Sequence, residues 1–365
     1  MMAQLQVFSD VPVVPVTSVH QHVALGGPIW PDFANQTWVR HCRAGEPVDQ
    51  MPAPPVAVRR LEGDAVWGGF LDGHFGHFVA DQLPRLPAVL RERPDDTYLF
   101  TVDPGVTQDT LPPWVVPVLH WAGLPMAQVQ LVGEPLVVDR LWVGRQGEML
   151  PQVGPLPGYL EMIEPWARGL VPKRSALLYV GRMGLAAQGA GGHAGEAYVA
   201  GLLEKRGVAV LDPALAPLHD QLAAYAGAER ILFAEGSALH GRQLLGRLPQ
   251  DIGVLRRRSG KRTAEASLAP RCRKLVYHDV GNQSLMAYWK SGAKRPGPAL
   301  SLYDVGQLLR CLARYGIDLK ADWDANAYSG VALADIGAWV NWHQPKDKYL
   351  AEYAATLTGL GLLEG

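Results

Sequence analysis

The sequence is poor in cysteine and has no long hydrophobic run. Its three cysteines, Cys42, Cys272 and Cys311, are odd in number and far apart, which excludes a disulfide framework and a Cys-x-x-Cys metal site. Reduced thiols are typical of a cytoplasmic protein. No run of about eighteen apolar residues is present, so we expect no membrane-spanning helix. The opening residues, MMAQLQVFSDVPVVPV, lack a basic segment followed by an apolar one, so we also expect no signal peptide.

An excess of charge of one sign is also lacking. The 365 residues contain 34 lysines and arginines against 35 aspartates and glutamates, which gives a formal net charge of −1. Without a basic excess the chain has no general attraction to nucleic acid, so we expect no nucleic-acid partner. Hydrophobic residues make up 48% of the chain and charged residues 19%, which excludes a disordered protein. The length is typical of about two domains.

Strands and helices alternate along the first half of the chain. Apolar residues at helical spacing predict a helix over 74–93, and this helix is followed by a strand at 98–102, a helix at 114–123 and two strands between 128 and 144. The alternation favours a parallel, three-layer α/β domain. The segment 147–172 is rich in proline and glycine, as is typical of a linker between domains.

A second α/β segment follows the linker. Four strand-like runs, SALLYVGR, VAVLDP, ERILFAEGS and IGVLRRR, alternate with three helical runs. This βαβαβαβ order predicts a Rossmann-like sheet. We therefore place one α/β domain at 1–168, a Rossmann-like α/β domain at 169–275, and at 276–365 a mainly helical extension that packs back on the core.

The predicted helix over 74–93 carries a polar stripe. On an ideal helix His74, His77, Asp81 and Arg85 fall within about 80° of arc, opposite the apolar side chains. An imidazole and a carboxylate at positions i and i+4 are typical of a general base, because either group can accept the proton of an attacking hydroxyl. The alternative is a solvated face with a structural ion pair. Pro84 kinks the helix beside Arg85.

A strand, a glycine turn and a helix meet at Glu235, Gly236 and Ser237. Ser237 is the predicted N-cap, and the free N–H groups of the next turn favour an anion. His240 lies in that turn, where a cation opposes the helix dipole unless an anion lies between them. Arg182 ends another strand, at the edge where parallel sheets bind ligands, and an arginine can hold a phosphate by two hydrogen bonds. The alternatives are an ordinary strand–turn–helix and a surface arginine.

Four segments at the centre of the chain occur in the order of a known family: GHFGHFVADQLPRL (73–86), LLYVGR (177–182), GEAYVAGLLEKRGVAVLDP (195–213) and LHDQLAAYAGAERILFAEGSALH (218–240). Together they resemble glycosyltransferase family 61, a group encoded in capsule and lipopolysaccharide clusters. The resemblance implies a GT-B fold of two facing Rossmann-like domains, in which 1–168 would be the acceptor-side domain and 169–275 the nucleotide-sugar donor domain. It also implies an inverting, metal-independent transfer of a sugar from a nucleotide-sugar donor.

The resemblance also implies site residues. Its acceptor-side helix falls on His77 and Asp81, one of which would be the catalytic base, and the polar stripe adds His74 and Arg85 as further candidates on the acceptor side. The implied donor-binding residues are Arg182, Glu235, Gly236, Ser237, Ala238, Leu239 and His240. The sequence departs from the family at Glu235, where eukaryotic relatives tend to have histidine.

The function expected from the resemblance is that of a bacterial glycosyltransferase in surface polysaccharide biosynthesis. Its partners would be a nucleotide-sugar donor and a glycan or lipid-linked glycan acceptor, with no cofactor and no metal. We expect a cytoplasmic location, and the basic run at 256–274 suggests peripheral contact with the inner membrane as an alternative. Asp322-Trp323-Asp324 resembles the metal-binding Asp-x-Asp of another glycosyltransferase class but lies beyond the predicted donor domain. Two alternative functions are a non-glycosyl transferase on the same fold, such as a pyruvyl transferase, and a non-catalytic glycan-binding or assembly protein.

Overall fold

A computed structural model describes residues 5–20, 23–55, 59–71, 73–103 and 105–362. The chain divides into two compact units. Unit 1 comprises Met1–Leu170, Leu239–Leu248 and Ala264–Cys272, and unit 2 comprises Val171–Ala238, Pro249–Thr263 and Arg273–Gly365. Two short segments of the predicted donor domain, 239–248 and 264–272, therefore belong to unit 1.

Unit 1 is built on a seven-stranded sheet of order β5-β2-β1-β9-β6-β7-β8. Its strands are β1 (Leu5–His20), β2 (Val23–Pro28), β5 (Asp49–Gln50), β6 (Arg59–Phe70), β7 (Thr97–Thr101), β8 (Val129–Val132) and β9 (Leu136–Gly144), and β3 (Cys42–Arg43) and β4 (Glu46–Pro47) form a separate hairpin. Strands β9, β6, β7 and β8 are parallel, whereas β1 is antiparallel to both its neighbours. The parallel arrangement predicted from the alternation over 74–144 is confirmed for β7, β8 and β9, whereas β1 lies inside the sheet as the antiparallel partner of β2 and β9.

The helix predicted over 74–93 is interrupted. It consists of α1 (Phe75–His77), a π-helical turn at Phe78–Gln82, a 3₁₀ turn at Leu83–Arg85 and α2 (Leu86–Glu92). Pro84 and Pro87 have no N–H to donate, so a regular hydrogen-bond ladder cannot continue through them. Freed carbonyls find other partners, and that of Asp81 accepts a hydrogen bond from Gln146 Nε2 at 2.7 Å.

The π turn changes the direction in which the polar side chains face. Asp81 and Arg85 are buried, whereas His74 is exposed and His77 is half-buried. The prediction that these four side chains share one solvent-facing stripe is therefore wrong, because that stripe requires an unbroken helix of 3.6 residues per turn.

The other predicted elements of unit 1 are present. Strands β7, β8 and β9 confirm the predictions at 98–102 and 128–144, and α3 (Val115–Trp121) confirms the helix at 114–123. The remaining helices of this unit are α4 (Tyr159–Ile163), which lies within the predicted linker, α8 (Glu265–Leu268), and α7 (Ala238–Gln243) from its second residue onward. A core of mainly aliphatic side chains, with Trp30 and Trp67, packs on the sheet.

Unit 2 contains a five-stranded parallel sheet of order β11-β10-β12-β13-β14. The strands are β10 (Leu178–Val180), β11 (Ala209–Leu211), β12 (Arg230–Ala234), β13 (Asp251–Arg256) and β14 (Lys274–Asp279). Helices α5 (Glu196–Lys205) and α6 (Leu218–Gly227) follow β10 and β11, and α7 (Ala238–Gln243) follows β12. The parallel α/β arrangement predicted for this half is confirmed.

The strand order reverses between β10 and β12, because the chain leaves β10 for the edge strand β11 and returns to β12 on the other side. In open parallel sheets, ligands bind outside the carboxyl ends of the strands at such a reversal. The residues that follow β10 and β12 therefore occupy the favoured ligand position of this sheet.

The chain after β14 forms a hairpin and three helices. These are β15 (Gly281–Tyr288), β16 (Lys294–Tyr303), α9 (Val305–Arg314), α10 (Ala325–His343) and α11 (Asp347–Gly359). Leu300, Leu308 and Trp339 from this segment share one apolar core with Tyr179 and Leu255 of the parallel strands. The segment is therefore an integral part of unit 2. Among the helices of the described residues, none is both long and apolar enough to cross a membrane.

Candidate functional site

Two histidines lie side by side at the start of α1 in unit 1. His74 is the N-cap residue, and its Nδ1 accepts a hydrogen bond from the backbone N–H of His77 at 3.4 Å. The centroids of the two imidazole rings are 4.3 Å apart, and the rings are tilted by 37°. Because His74 is exposed and His77 half-buried, the pair brings two imidazoles to the surface of unit 1.

Asp81, the other predicted catalytic residue, is held in an ion pair. Its Oδ2 accepts a hydrogen bond from Arg43 Nη1 at 2.6 Å, and its Oδ1 accepts one from the backbone N–H of Leu150 at 3.1 Å. The carboxylate is only 1% exposed, whereas Arg43 is 15% exposed. Both carboxylate oxygens thus have partners within the protein, and an attacking hydroxyl would have to displace one of them.

Arg85, predicted on the acceptor side, lies in the interior of unit 1. Its guanidinium donates hydrogen bonds to the backbone carbonyls of Val39, Arg40 and Gly144 and to Oε1 of Gln146. Burial lowers the pKa of Arg85 to about 10, so the group remains charged at neutral pH. The prediction that Arg85 faces solvent on the acceptor side is wrong, because the broken helix turns its side chain inwards. Arg85 instead links β9 to the segment that precedes β3.

His240 belongs to unit 1 although it follows a strand of unit 2 in the chain. Its Nδ1 lies 2.8 Å from Oε1 of Gln243, which can only accept, so the proton of the imidazole is on Nδ1. Burial, together with the charges of His74, His77 and Arg43, lowers the pKa of His240 to about 4, although the hydrogen bond with Gln243 acts in the opposite direction. At neutral pH His240 is therefore uncharged, which differs from the cation that the sequence suggested at this turn.

Arg182 follows β10 in unit 2 and lies on the glycine turn that follows β12. A Cβ atom added to Gly236 would be 2.0 Å from Nη1 of Arg182, so only glycine leaves room for the guanidinium. Nε of Arg182 donates to the carbonyl of Gly191 at 2.9 Å. Within the described residues, neither Nη atom of Arg182 has a hydrogen-bond partner. The structure thus brings Arg182 and Gly236 together, as predicted, with donors available to a ligand.

Glu235, predicted to contact the donor, is fully buried behind two further arginines. Its Oε1 accepts from Arg258 Nε and Thr263 Oγ1, both at 2.9 Å, and its Oε2 accepts from the backbone N–H groups of Arg257 and Arg258. Burial raises the pKa of Glu235, but the charges of Arg258 and Arg257 more than offset this and hold it below its usual value. Glu235 therefore holds the arginines in place.

Three arginines follow the two strands that flank β12 in this sheet. Arg182 comes after β10, and Arg257 and Arg258 come directly after β13, on the far side of β12. We call these three residues the arginine cluster. Burial lowers the pKa of Arg257 to about 9, so it too is charged at neutral pH. With Glu235 as the paired carboxylate, the cluster keeps an excess of positive charge at the favoured ligand position.

The remaining predicted donor residues lie at the start of α7. Ser237 is half-buried, and Ala238 and Leu239 are buried. The N-cap role of Ser237 stays a prediction. Because α7 has only six residues, its dipole is a weak source of anion binding.

The Asp-x-Asp sequence has structural partners. Asp322 forms an ion pair with Arg206, and Asp324 caps α10 by accepting hydrogen bonds from the N–H groups of Asn326 and Ala327. No group of three or more histidine, cysteine, aspartate or glutamate residues able to hold a metal ion occurs within the ranges that the structure describes.

Sequence reasoning missed Arg43, Arg257 and Arg258. Arg43 lies in a two-residue strand, 38 positions before the carboxylate that it contacts, and no local pattern marks it. Arg257 and Arg258 were visible only as part of a basic run. Their position at the end of the strand-like run IGVLRRR was the available signal, because residues that follow parallel strands of one sheet meet at the same edge.

No protein-family model matches the sequence, and a search of curated proteins finds no match. The resemblance to glycosyltransferase family 61 therefore stays a prediction from the four segments.

Proposed function

We propose that the protein is an inverting, metal-independent glycosyltransferase that transfers a sugar from a nucleotide-sugar donor to a glycan or lipid-linked glycan acceptor. One observation carries the proposal: Arg182, whose two Nη atoms have no hydrogen-bond partner among the described residues, rests on Gly236 at the strand-order reversal of a parallel sheet. This is the favoured ligand position of such a sheet, and its cation favours a phosphate. Because the four segments resemble a family of glycosyltransferases, we expect this phosphate to belong to the diphosphate of a nucleotide sugar.

The arginine cluster would bind the donor diphosphate. The two Nη atoms of Arg182 can hold one phosphate in a bidentate manner, while Arg257 and Arg258 add positive charge behind it. As the bond between the anomeric carbon and the diphosphate oxygen breaks, its electron pair moves to the diphosphate. The fixed guanidinium groups stabilise this growing charge, because they are already in position and need not reorganise.

His77 would accept the proton of the acceptor hydroxyl. It is half-buried and beside a second imidazole, whereas both carboxylate oxygens of Asp81 are occupied. The hydroxyl oxygen forms the new bond to the anomeric carbon while its proton passes to His77. Direct displacement inverts the anomeric configuration. Asp81 then serves to hold Arg43 near the histidines.

The wider assignment is part of the same proposal. We propose a GT-B arrangement of the two units and a role in bacterial surface polysaccharide biosynthesis. All three cysteines are free thiols, which supports a cytoplasmic location, with peripheral contact to the inner membrane as the alternative.

The test begins with binding. Calorimetric titration with a panel of nucleotide sugars should identify a ligand, and Arg182→Met should weaken it at least about tenfold through loss of a charge-assisted hydrogen-bond pair. Arg174→Met, an exposed arginine of the same unit, is the matched control and should bind like the wild type. Absence of binding at millimolar concentration would reject the proposal and favour a transferase that uses no nucleotide.

Turnover is tested next with the ligand found. His77→Ala should lower release of the nucleoside diphosphate about a hundredfold or more, as expected for loss of a general base, and leave donor affinity unchanged. Donor binding without any transfer in the wild type would favour a non-catalytic binding protein.

A further inference from the structure

A buried carboxyl that the proposed reaction does not use lies next to Arg182 in unit 2. Oε1 of Glu196, the first residue of α5, accepts hydrogen bonds from the Tyr179 hydroxyl and from the backbone N–H of Arg182, both at 2.8 Å. Its Oε2 is also buried and has no hydrogen-bond partner in the part of the chain that the structure describes. Glu196 therefore holds the backbone of Arg182 through Oε1, while Oε2 makes no hydrogen bond to the described residues.

An unpaired oxygen makes the charged form of this carboxyl unfavourable. A buried carboxylate is stable only when charge and hydrogen bonds compensate for the lost water, and Oε2 has neither. Burial raises the pKa of Glu196 to about 7, although the hydrogen bonds from Tyr179 and Arg182 and the charge of Arg182 act in the opposite direction. The carboxyl thus changes its charge in the neutral range.

The charged and titratable groups around Glu196 come from five elements: Tyr179 of β10, Arg182 after it, Asp212 after β11, Tyr303 of β16, and Tyr328 and Asp335 of α10. Burial raises the pKa of all three tyrosines, so they remain protonated in the neutral range. Arg182 is the only cation in this group. A change in the charge of Glu196 therefore alters mainly its electrostatic attraction to Arg182.

We propose that Glu196 is a positioning residue of the donor site that couples the binding of an anion at Arg182 to the uptake of a proton. This inference rests on the proposed role of Arg182 in donor binding. When Glu196 is ionised, it neutralises part of the charge of Arg182 and repels an incoming diphosphate. When Glu196 is protonated, the full charge of Arg182 acts on the ligand. By linkage, the bound anion favours the protonated carboxyl to the same extent.

The experiment measures affinity against pH with a nucleotide sugar, whose diphosphate diester keeps a constant charge from about pH 6 to about pH 8.5. The Kd of the wild type should rise about fivefold or more as the pH increases through 7, the lower end of typical coupling between sites. Glu196→Gln keeps the acceptor oxygen but cannot ionise, so its Kd should not change with pH. Glu204→Gln, an exposed position on the same helix, is the matched control and should follow the wild type.

A second measurement reports the proton itself. Calorimetry in two buffers of different ionisation enthalpy should show that the wild type takes up protons on binding just above neutral pH and that Glu196→Gln does not. A residue with a merely structural role would change the affinity without removing the proton uptake. A wild-type Kd that does not vary with pH, or the same variation in Glu196→Gln, would overturn the inference and leave the proposed function intact.

If no nucleotide sugar binds, the inference is tested with sulfate, whose charge is also constant over this range. Stabilisation by sulfate that weakens as the pH rises in the wild type, is independent of pH in Glu196→Gln and is lost in Arg182→Met would support the coupling while the proposed function fails. Sulfate stabilisation that is independent of pH in the wild type, or absent, would reject it.

Discussion

The two ends of the Arg43–Asp81 ion pair should respond differently to substitution. Asp81→Asn removes the charge 2.6 Å from Arg43 but keeps an oxygen for the N–H of Leu150. Arg43 is 15% exposed and can turn to water, so we expect a loss of about 1.5–3 kcal/mol in the free energy of unfolding. Arg43→Met instead leaves a carboxylate that is 1% exposed without its cation, and the expected loss is about 3–5 kcal/mol.

A double-mutant cycle with the two variants measures the coupling. The double variant removes both charges, so its loss should be smaller than the sum of the two single losses by about 1 kcal/mol or more. Urea unfolding followed by the fluorescence of the 11 tryptophans gives the free energies. Arg247→Met is the control: its partners Glu161 and Glu164 are exposed, so its loss should be no more than about 1 kcal/mol. Additive losses in the cycle would refute the reasoning.

The same variants decide between the two candidate bases. If His77 is the base, Asp81→Asn should retain more turnover than His77→Ala, because the Asp81→Asn substitution affects only the position of Arg43. If Asp81→Asn abolishes transfer while His77→Ala leaves it near the wild-type rate, Asp81 is the base and the ion pair opens when the acceptor binds.

Three further predictions concern single contacts. Gly236→Ala should displace the Arg182 guanidinium and break its bond to Gly191, so donor affinity should fall in calorimetric titration while the urea midpoint changes little; unchanged affinity would contradict this. Because the folded-state pKa of Glu196 is about 7 against an ordinary 4.5, the contribution of Glu196 to stability is fully present below pH 4.5 and is lost as the pH rises through 7; Glu196→Gln should therefore be more stable than the wild type by about 3 kcal/mol at pH 8 in urea unfolding and no more stable at pH 4. Arg271→Met breaks a fully buried pair whose bonds to Glu148 are 2.7 and 2.8 Å, so it should cost about 3–5 kcal/mol in the same assay, and adding Glu148→Leu should recover part of the loss.

The strands of unit 2 were predictable because each is a short apolar run bounded by turn residues. Buried parallel strands need apolar side chains on both faces, and this produces runs such as ILFA at 231–234. The position of Arg182 and Gly236 follows from the same pattern, since residues that end adjacent parallel strands meet at one edge. The antiparallel position of β1 inside the sheet was not predictable. Its pairing with β2 is local, but its pairing with β9 joins residues more than a hundred positions apart in the chain.

The helix at 74–93 shows where the local pattern was insufficient. The spacing of its apolar residues was correct, but two prolines break the ladder, and the resulting π turn directs Asp81 and Arg85 inwards. His240 is a second case: it follows a strand of unit 2 in the chain but belongs to unit 1 in space.

The sequence by itself determined the α/β class, the parallel sheet of unit 2, and which histidines, carboxylates and arginines are available for chemistry. These features follow from local apolar spacing and turn residues, whose effects extend over a few residues. Only the tertiary structure decided the state of each group: Asp81 is paired with Arg43, Glu235 is covered by Arg258, and Arg182 keeps its donors. Charge and hydrogen bonding depend on burial and on partners far along the chain, so the same residue types acquire different roles once the chain has folded.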